Sequence, residues 1–215
     1  MKRMDLVILF LTIIAVFLLV YPPTSRPFFD FTNEYALLGG FIKFFLFASF
    51  GDVLSQRIRK GNFAVTGLFY KAIVWGFIGV VVVFVFRIFS GGVMLLQDEG
   101  LLPFAGVTFA FAFFTSLFMN VIFGPTMMFF HRVTDHYIER KVRMKHHTLK
   151  ETLNDIDYKG FVSFIVFKTI PLFWIPAHTI TFMMREEYRV LFASFLGVML
   201  GLILGLAKSS VKKEA

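Results

Sequence analysis

The chain has 215 residues, of which 57% are hydrophobic, 17% are charged and 32 are phenylalanine. A water-soluble domain carries about 25% charged residues, so the composition excludes an ordinary soluble fold and points to an integral membrane protein with the lipid bilayer as its partner. Cysteine is absent, which excludes disulfides, thiolate catalysis and cysteine-ligated metals.

A short basic start leads into the apolar run 4–21, interrupted only by Asp5 and Thr12. No small-x-small cleavage site follows it, so an uncleaved first span is expected rather than a signal peptide. Pro22, Pro23 and Pro27 are expected to end that helix in an extended link. The second span is 35–56, with Lys43 and Asp52 inside it, followed by a basic turn at Arg57, Arg59 and Lys60. The third is 65–89, with Lys71 near its start. A loop holding Asp98 and Glu99 precedes the long apolar stretch 101–130, where Gly124-Pro125 predicts a kink and Thr108, Thr115, Ser116 and Asn120 form a polar series. Residues 131–160 are a long polar segment, read as a loop.

The stretch 161–183 is apolar enough for lipid, yet it carries Lys168, His178, Pro171 and Pro176. Ionisable residues inside a bilayer face a bundle interior or a wet cavity. Proline frees backbone carbonyls that a cavity can use. A kinked helix packed inside a bundle is the plain alternative. The last span is 190–207, with Ala193, Gly197, Gly201 and Gly205 at four-residue spacing. Such a run lets two helix backbones approach closely, within the chain or in a homo-oligomer.

Lysine and arginine orient these spans. Of the 22 in the chain, Arg26, Arg185 and Arg189 fall on one side. Lys43, Lys71, Arg87 and Lys168 lie within spans, and all the rest fall on the other side. Six spans with both ends inside satisfy the positive-inside rule at every loop. The charge of +8 is thus an orientation signal. No aromatic-interleaved basic patch accompanies it, and no nucleic-acid partner is expected.

The expected fold is an all-α polytopic transmembrane helix bundle of about six spans forming one domain. Depth along the spans places Asp52, Lys71 and Lys168 near the inner surface and Lys43 and His178 further out. Asp52 is expected to pair with Lys71 or Lys168, because an unpaired buried carboxylate is costly. These five residues are the pore or cavity candidates, against the plainer reading of a structural ion pair with a snorkelling lysine. His178, beside Thr179 and Thr181, reads as a histidine bonded to a threonine or as a titrating gate. His131, Asp135 and His136 share a helix face, which makes them weak metal-ligand candidates. They are also the centre of an alternative reading, an enzyme acting at the inner surface; a third reading is a structural or assembly protein that uses the last helix as a docking face. No HExxH, nucleophile elbow or P-loop occurs, and no cofactor is expected.

Several of these pieces resemble the Mpv-seventeen/PMP-twenty-two family of small peroxisomal and inner-mitochondrial membrane proteins. Trp174, Pro176, Phe182 and Arg189 stand in the frame of its Trp-x-Pro…Asn-Phe…basic element, with His178 and Thr181 where Gln and Asn are usual. Gly51-Asp52 and Gln56 are similar to its Gly-Asp…Gln box, with Lys43 placed like the lysine before it. Gln97, Asp98 and Pro103 resemble its Asp-Gln…Pro entry to a span. Gly124-Pro125 resembles a further box that in the family comes earlier in the chain, and no role is carried onto it. The resemblance spans roughly 35–207. It implies a membrane protein linked to membrane homeostasis and to channels for small solutes, with no established enzymatic activity. Without an Arg-rich presequence, a prokaryotic plasma membrane is the expected location.

Overall fold

The computed structural model describes residues 3–144 and 146–211. It is all-helical, with 85% helix and no strand among the described residues. Contacts divide the chain into two compact units, Met1–Gly39 and Gly40–Ala215.

The first unit holds α1 (Arg3–Val20) and α2 (Pro22–Glu34). The expected extended link is helical instead. Pro22 and Pro23 open α2 at its first positions, where no backbone N–H is needed and the fixed φ already suits a helix. The Thr24 hydroxyl lies 2.7 Å from the Leu18 carbonyl and 3.0 Å from that of Tyr21 and shares its one proton between them, while the Tyr21 carbonyl also accepts from the Ser25 N–H at 2.9 Å. The halves Thr12–Val20 and Pro22–Glu34 meet at 79°.

Helix α3 (Ala36–Lys43) runs on through a π-helical turn, Phe44–Ala48, into α4 (Ser49–Lys60). Gly61, in the left-handed region at φ 75°, caps α4, as only glycine does without strain. Helix α5 (Leu68–Asp98) continues well past its expected end, with Gly91 and Gly92 inside it and open space beside both. The stretch 101–130 becomes an irregular entry, then α6 (Thr108–Ile122) and α7 (Gly124–Arg143), bent by 50° at the predicted Gly124-Pro125 kink. Residues 131–143, expected in a loop, belong to α7. Their polar side chains recur on one helical face that lines a cavity, so polarity there does not signal irregular backbone.

The short α8 (Leu149–Asn154) starts with a capping box between Thr148 and Glu151. Thr148 donates its backbone N–H and its hydroxyl to the Glu151 carboxylate, which holds that carboxyl below the usual range. Next come α9 (Tyr158–Gly160), a π-helical segment Phe161–Trp174, α10 (Ile175–Met183) and α11 (Glu186–Val211).

Among the described residues, three helices are long and apolar enough to cross a membrane: Ala36–Lys60, Leu68–Asp98 and Tyr158–Met183. The count rises to five if each bent pair, in α1–α2 and in α6–α7, is one span. These apolar helices suit a membrane location.

The core of the second unit gathers Phe44, Ile78, Val82, Phe86, Ala112, Met119 and Phe182. Helix α6 presents Ala112, Thr115, Ser116 and Asn120 to α10, all buried. Small residues on this face let the helices approach, and the Ser116 hydroxyl donates to the Ile175 carbonyl at 2.7 Å. Closer still is the crossing of Gly40 and Gly79, where a Cβ on Gly79 would overlap the Gly40 carbonyl.

Candidate functional site

Helix α4 turns one stripe inward: Asp52, Ser55, Gln56, Arg59 and Lys60. These are positions i, i+3, i+4, i+7 and i+8, a single face of an α-helix. Helix α7 answers with Met128, His131, Arg132, Asp135, His136 and Glu139 in the same periodicity. Lys71 of α5 and the segment around Asp155 and Phe161 complete the wall. The cavity between them is about 570 Å³, within the range that holds small ligands.

A second cavity, of about 200 Å³, lies against it and is lined mostly by apolar side chains, including Phe44, Val82, Met127 and Leu200. Asp52, Ser55, Met128 and His131 line both, so they form the wall shared by a polar vestibule and an apolar chamber. Trp75, Trp174 and His178 stand in the chamber wall.

The charges do not pair as the sequence predicts. Lys71 Nζ lies 2.7 Å from Asp135 Oδ1 and 2.7 Å from Glu139 Oε1. Asp52 instead accepts a hydrogen bond from the Trp75 indole N–H at 2.8 Å. The reason is register. Trp75 is one turn beyond Lys71 on α5, so it faces Asp52, while the carboxylates of α7 meet the lysine. The His131 ring packs on Trp75 with centroids 4.1 Å apart. Lys168, in the π-helical segment, lines neither cavity and is exposed, as are Phe164 and Phe167. Lys43 is buried but also lines neither cavity.

His178 is bonded to neither neighbouring threonine. Thr179 and Thr181 donate to the Ile175 and Ala177 carbonyls of their own helix, a common outlet for a buried hydroxyl. Its partner is Asn120, with Nδ1 3.2 Å from Oδ1. Asn120 spends its amide N–H on the Ser116 carbonyl, so its oxygen is left to accept and Nδ1 is the donor. The His178 ring stacks on Trp174 at 5.5 Å.

The other motif residues are structural here. Gly51 packs under Val198 of α11. Gln56 ties the basic turn by donating to Asn62 and to the Ala64 carbonyl. Phe182 is at the core's centre, and Arg189 lies over its ring at 5.7 Å while donating to the Met184 carbonyl. Pro176 opens α10 at its first turn. In α11, Ala193 packs in the core, but Gly197 borders the chamber and a Cβ there would meet nothing among the described residues. It is not a close helix approach. Gly201 and Gly205 continue the helix.

His131, Asp135 and His136 share the vestibule but do not act together. Asp135 is committed to Lys71, and His136 Nε2 turns toward Asp155 at 3.9 Å. Among the described residues no group of three His, Asp or Glu is placed to hold a metal ion.

Trp75, Ser55 and Glu139 escaped the sequence reading. The i, i+4 pair Asp135 and Glu139 would have pointed to a cation had 131–143 been read as helix. Trp75 carried no signal beyond standing one turn from Lys71. No family model, no characterised protein and no solved structure matches the chain.

Proposed function

We propose that the chain is a channel-like integral membrane protein that admits a small polar solute or ion from its inner surface. In this reading six spans cross the membrane, with α11 as the last and both ends inside. The protein belongs to a bacterial-type branch of the Mpv-seventeen/PMP-twenty-two family and sits in a prokaryotic plasma membrane.

One observation carries this reading. The polar vestibule and the apolar chamber share a wall made by Asp52, Ser55, Met128 and His131. A purely structural ion-pair network would close around Lys71 and leave no space. Here a second cavity backs onto the first across Asp52, Ser55, Met128 and His131 and reaches His178. Polar groups next to a cavity in an otherwise apolar unit are the usual mark of a solute path.

Flux into liposomes holding the purified protein tests it, with potassium, chloride and a neutral sugar as solutes. Selective flux that Asp52→Asn or His178→Ala changes by about tenfold or more supports the path. Unchanged flux in both variants, or none in folded and inserted protein, overturns it.

A further inference from the structure

The vestibule has an uneven supply of charge. Lys71 is committed to Asp135 and Glu139, and Asp155 pairs with Arg140 at 3.3 Å. Asp157 gives one oxygen to the Gly160 N–H. Three cations in the wall, Arg59, Lys60 and Arg132, make no ion pair within 4.0 Å among the described residues, although Lys60 lies close enough to act on the Glu139 carboxylate. Arg132 only lies over the Phe161 ring, at 6.0 Å. At the inner end Asp52 uses Oδ2 for Trp75, and Oδ1 accepts no hydrogen bond among the described residues.

The order of these groups is fixed by the helices. Asp52 is at the start of α4, and Arg59 and Lys60 are at its end, about 10 Å further along the axis. Arg132, next to His131 on α7, adds a third cation to the vestibule wall. Along α4 the two cations and Asp52 therefore stand at opposite ends of the vestibule wall, with the apolar chamber against the Asp52 end.

We propose that the vestibule and chamber bind a small amphipathic zwitterion: an ammonium on Asp52 Oδ1, an anionic group toward Arg132, Arg59 and Lys60, and a short apolar tail in the chamber. This rests on reading the two cavities as a solute site. A simple anion would be held by the cations but repelled at Asp52. A simple cation would gain Asp52 but leave three cations unpaired. Only a ligand with both charges makes both sets of charge-assisted bonds. The chamber has room for the volume of about seven waters, which accommodates one short branched chain and not a pair of acyl chains. The occupant is therefore a free amino acid-like molecule rather than an aminophospholipid carrying the same headgroup chemistry.

The chain's only two tryptophans, Trp75 and Trp174, both line the chamber, so intrinsic fluorescence reports on this site alone. The full-length protein in detergent is titrated with L-leucine, isoamylamine, 4-methylpentanoate and dihexanoyl phosphatidylethanolamine. Expected is a saturable emission change with leucine, and affinity weaker by about tenfold or more for each single-charge probe. In Asp52→Asn leucine should weaken to the level of 4-methylpentanoate, and in Arg132→Gln it should fall toward isoamylamine. A single-charge probe that equals leucine in the wild-type protein overturns the proposal. So does a silent leucine titration, or a phospholipid that binds tighter than leucine. Asp52-dependent ion flux with a silent leucine titration would sink the zwitterion and keep the path; leucine binding without flux would do the reverse.

Discussion

At the scale of single residues, Lys71 holds the vestibule together. Its side chain is only 6% exposed, against 35% and 37% for Asp135 and Glu139. Replacing it by methionine leaves two carboxylates one turn apart on α7 with no cation between them. Breaking a fully buried pair costs about 3–5 kcal/mol. Solvent reaches these carboxylates, so Lys71→Met should cost less, about 2 kcal/mol. The triple variant Lys71→Met, Asp135→Asn, Glu139→Gln should recover most of that. Thermal melting in detergent measures both, and a single variant as stable as the wild type would show that water already screens the cluster. The sequence made Asp52, Lys71 and His178 legible because an ionisable group in an apolar run is conspicuous. Their partners were not legible. Which of two helices reaches a lysine depends on register between segments distant in the chain, and nothing local encodes it.

At the scale of elements, the second unit depends on where helices touch by backbone. The conspicuous small-residue run in α11 suggested the closest approach, yet Gly197 has open space beside it. The true crossing is Gly40 with Gly79, on segments whose glycines show no comparable repeat. Gly79→Ala should therefore abolish folded protein, since its Cβ overlaps a carbonyl that cannot rotate away. Gly91→Ala, on the same helix with nothing within 4 Å, should be neutral or stabilise by up to about 1 kcal/mol through helix propensity. Size-exclusion profiles and melting curves of the two variants read the contrast; equal behaviour would mean that α3 and α5 do not cross there. The π-helical segment Phe161–Trp174 was half legible. Pro171 and Pro176 announced a disturbance, but in an apolar run the period does not separate a helix of 3.6 residues per turn from a wider one. Thr169 shows how the wider turns are supported: its hydroxyl donates to the Phe164 carbonyl five residues back, at 3.0 Å.

At the scale of the whole molecule, the question is how many times the chain crosses the membrane. Helix length and composition allow between three and five spans among the described residues, while the distribution of lysine and arginine favours six with both ends inside. The two counts part at the bent pairs α1–α2 and α6–α7, each of which can cross or turn back, and at α11, which only the six-span reading includes. The absence of cysteine makes single cysteines unambiguous reporters. Arg26→Cys, Arg59→Cys, Gly100→Cys, Lys150→Cys and Arg185→Cys each mark one connection between proposed spans. With a membrane-impermeant maleimide, the cysteines at 59 and 150 should label only from the inner side, and those at 26, 100 and 185 only from the outer side. If 100 and 150 label together, α6 and α7 form a re-entrant hairpin. If 150 and 185 label together, the broken stretch turns back instead of crossing. Either result moves the mouth of the vestibule, because Arg59 and Lys60 are fixed on α4 while Glu139 and Asp155 follow α7 and the segment after it. The predicted alternation keeps all four on the inner side, which a vestibule open to that side requires.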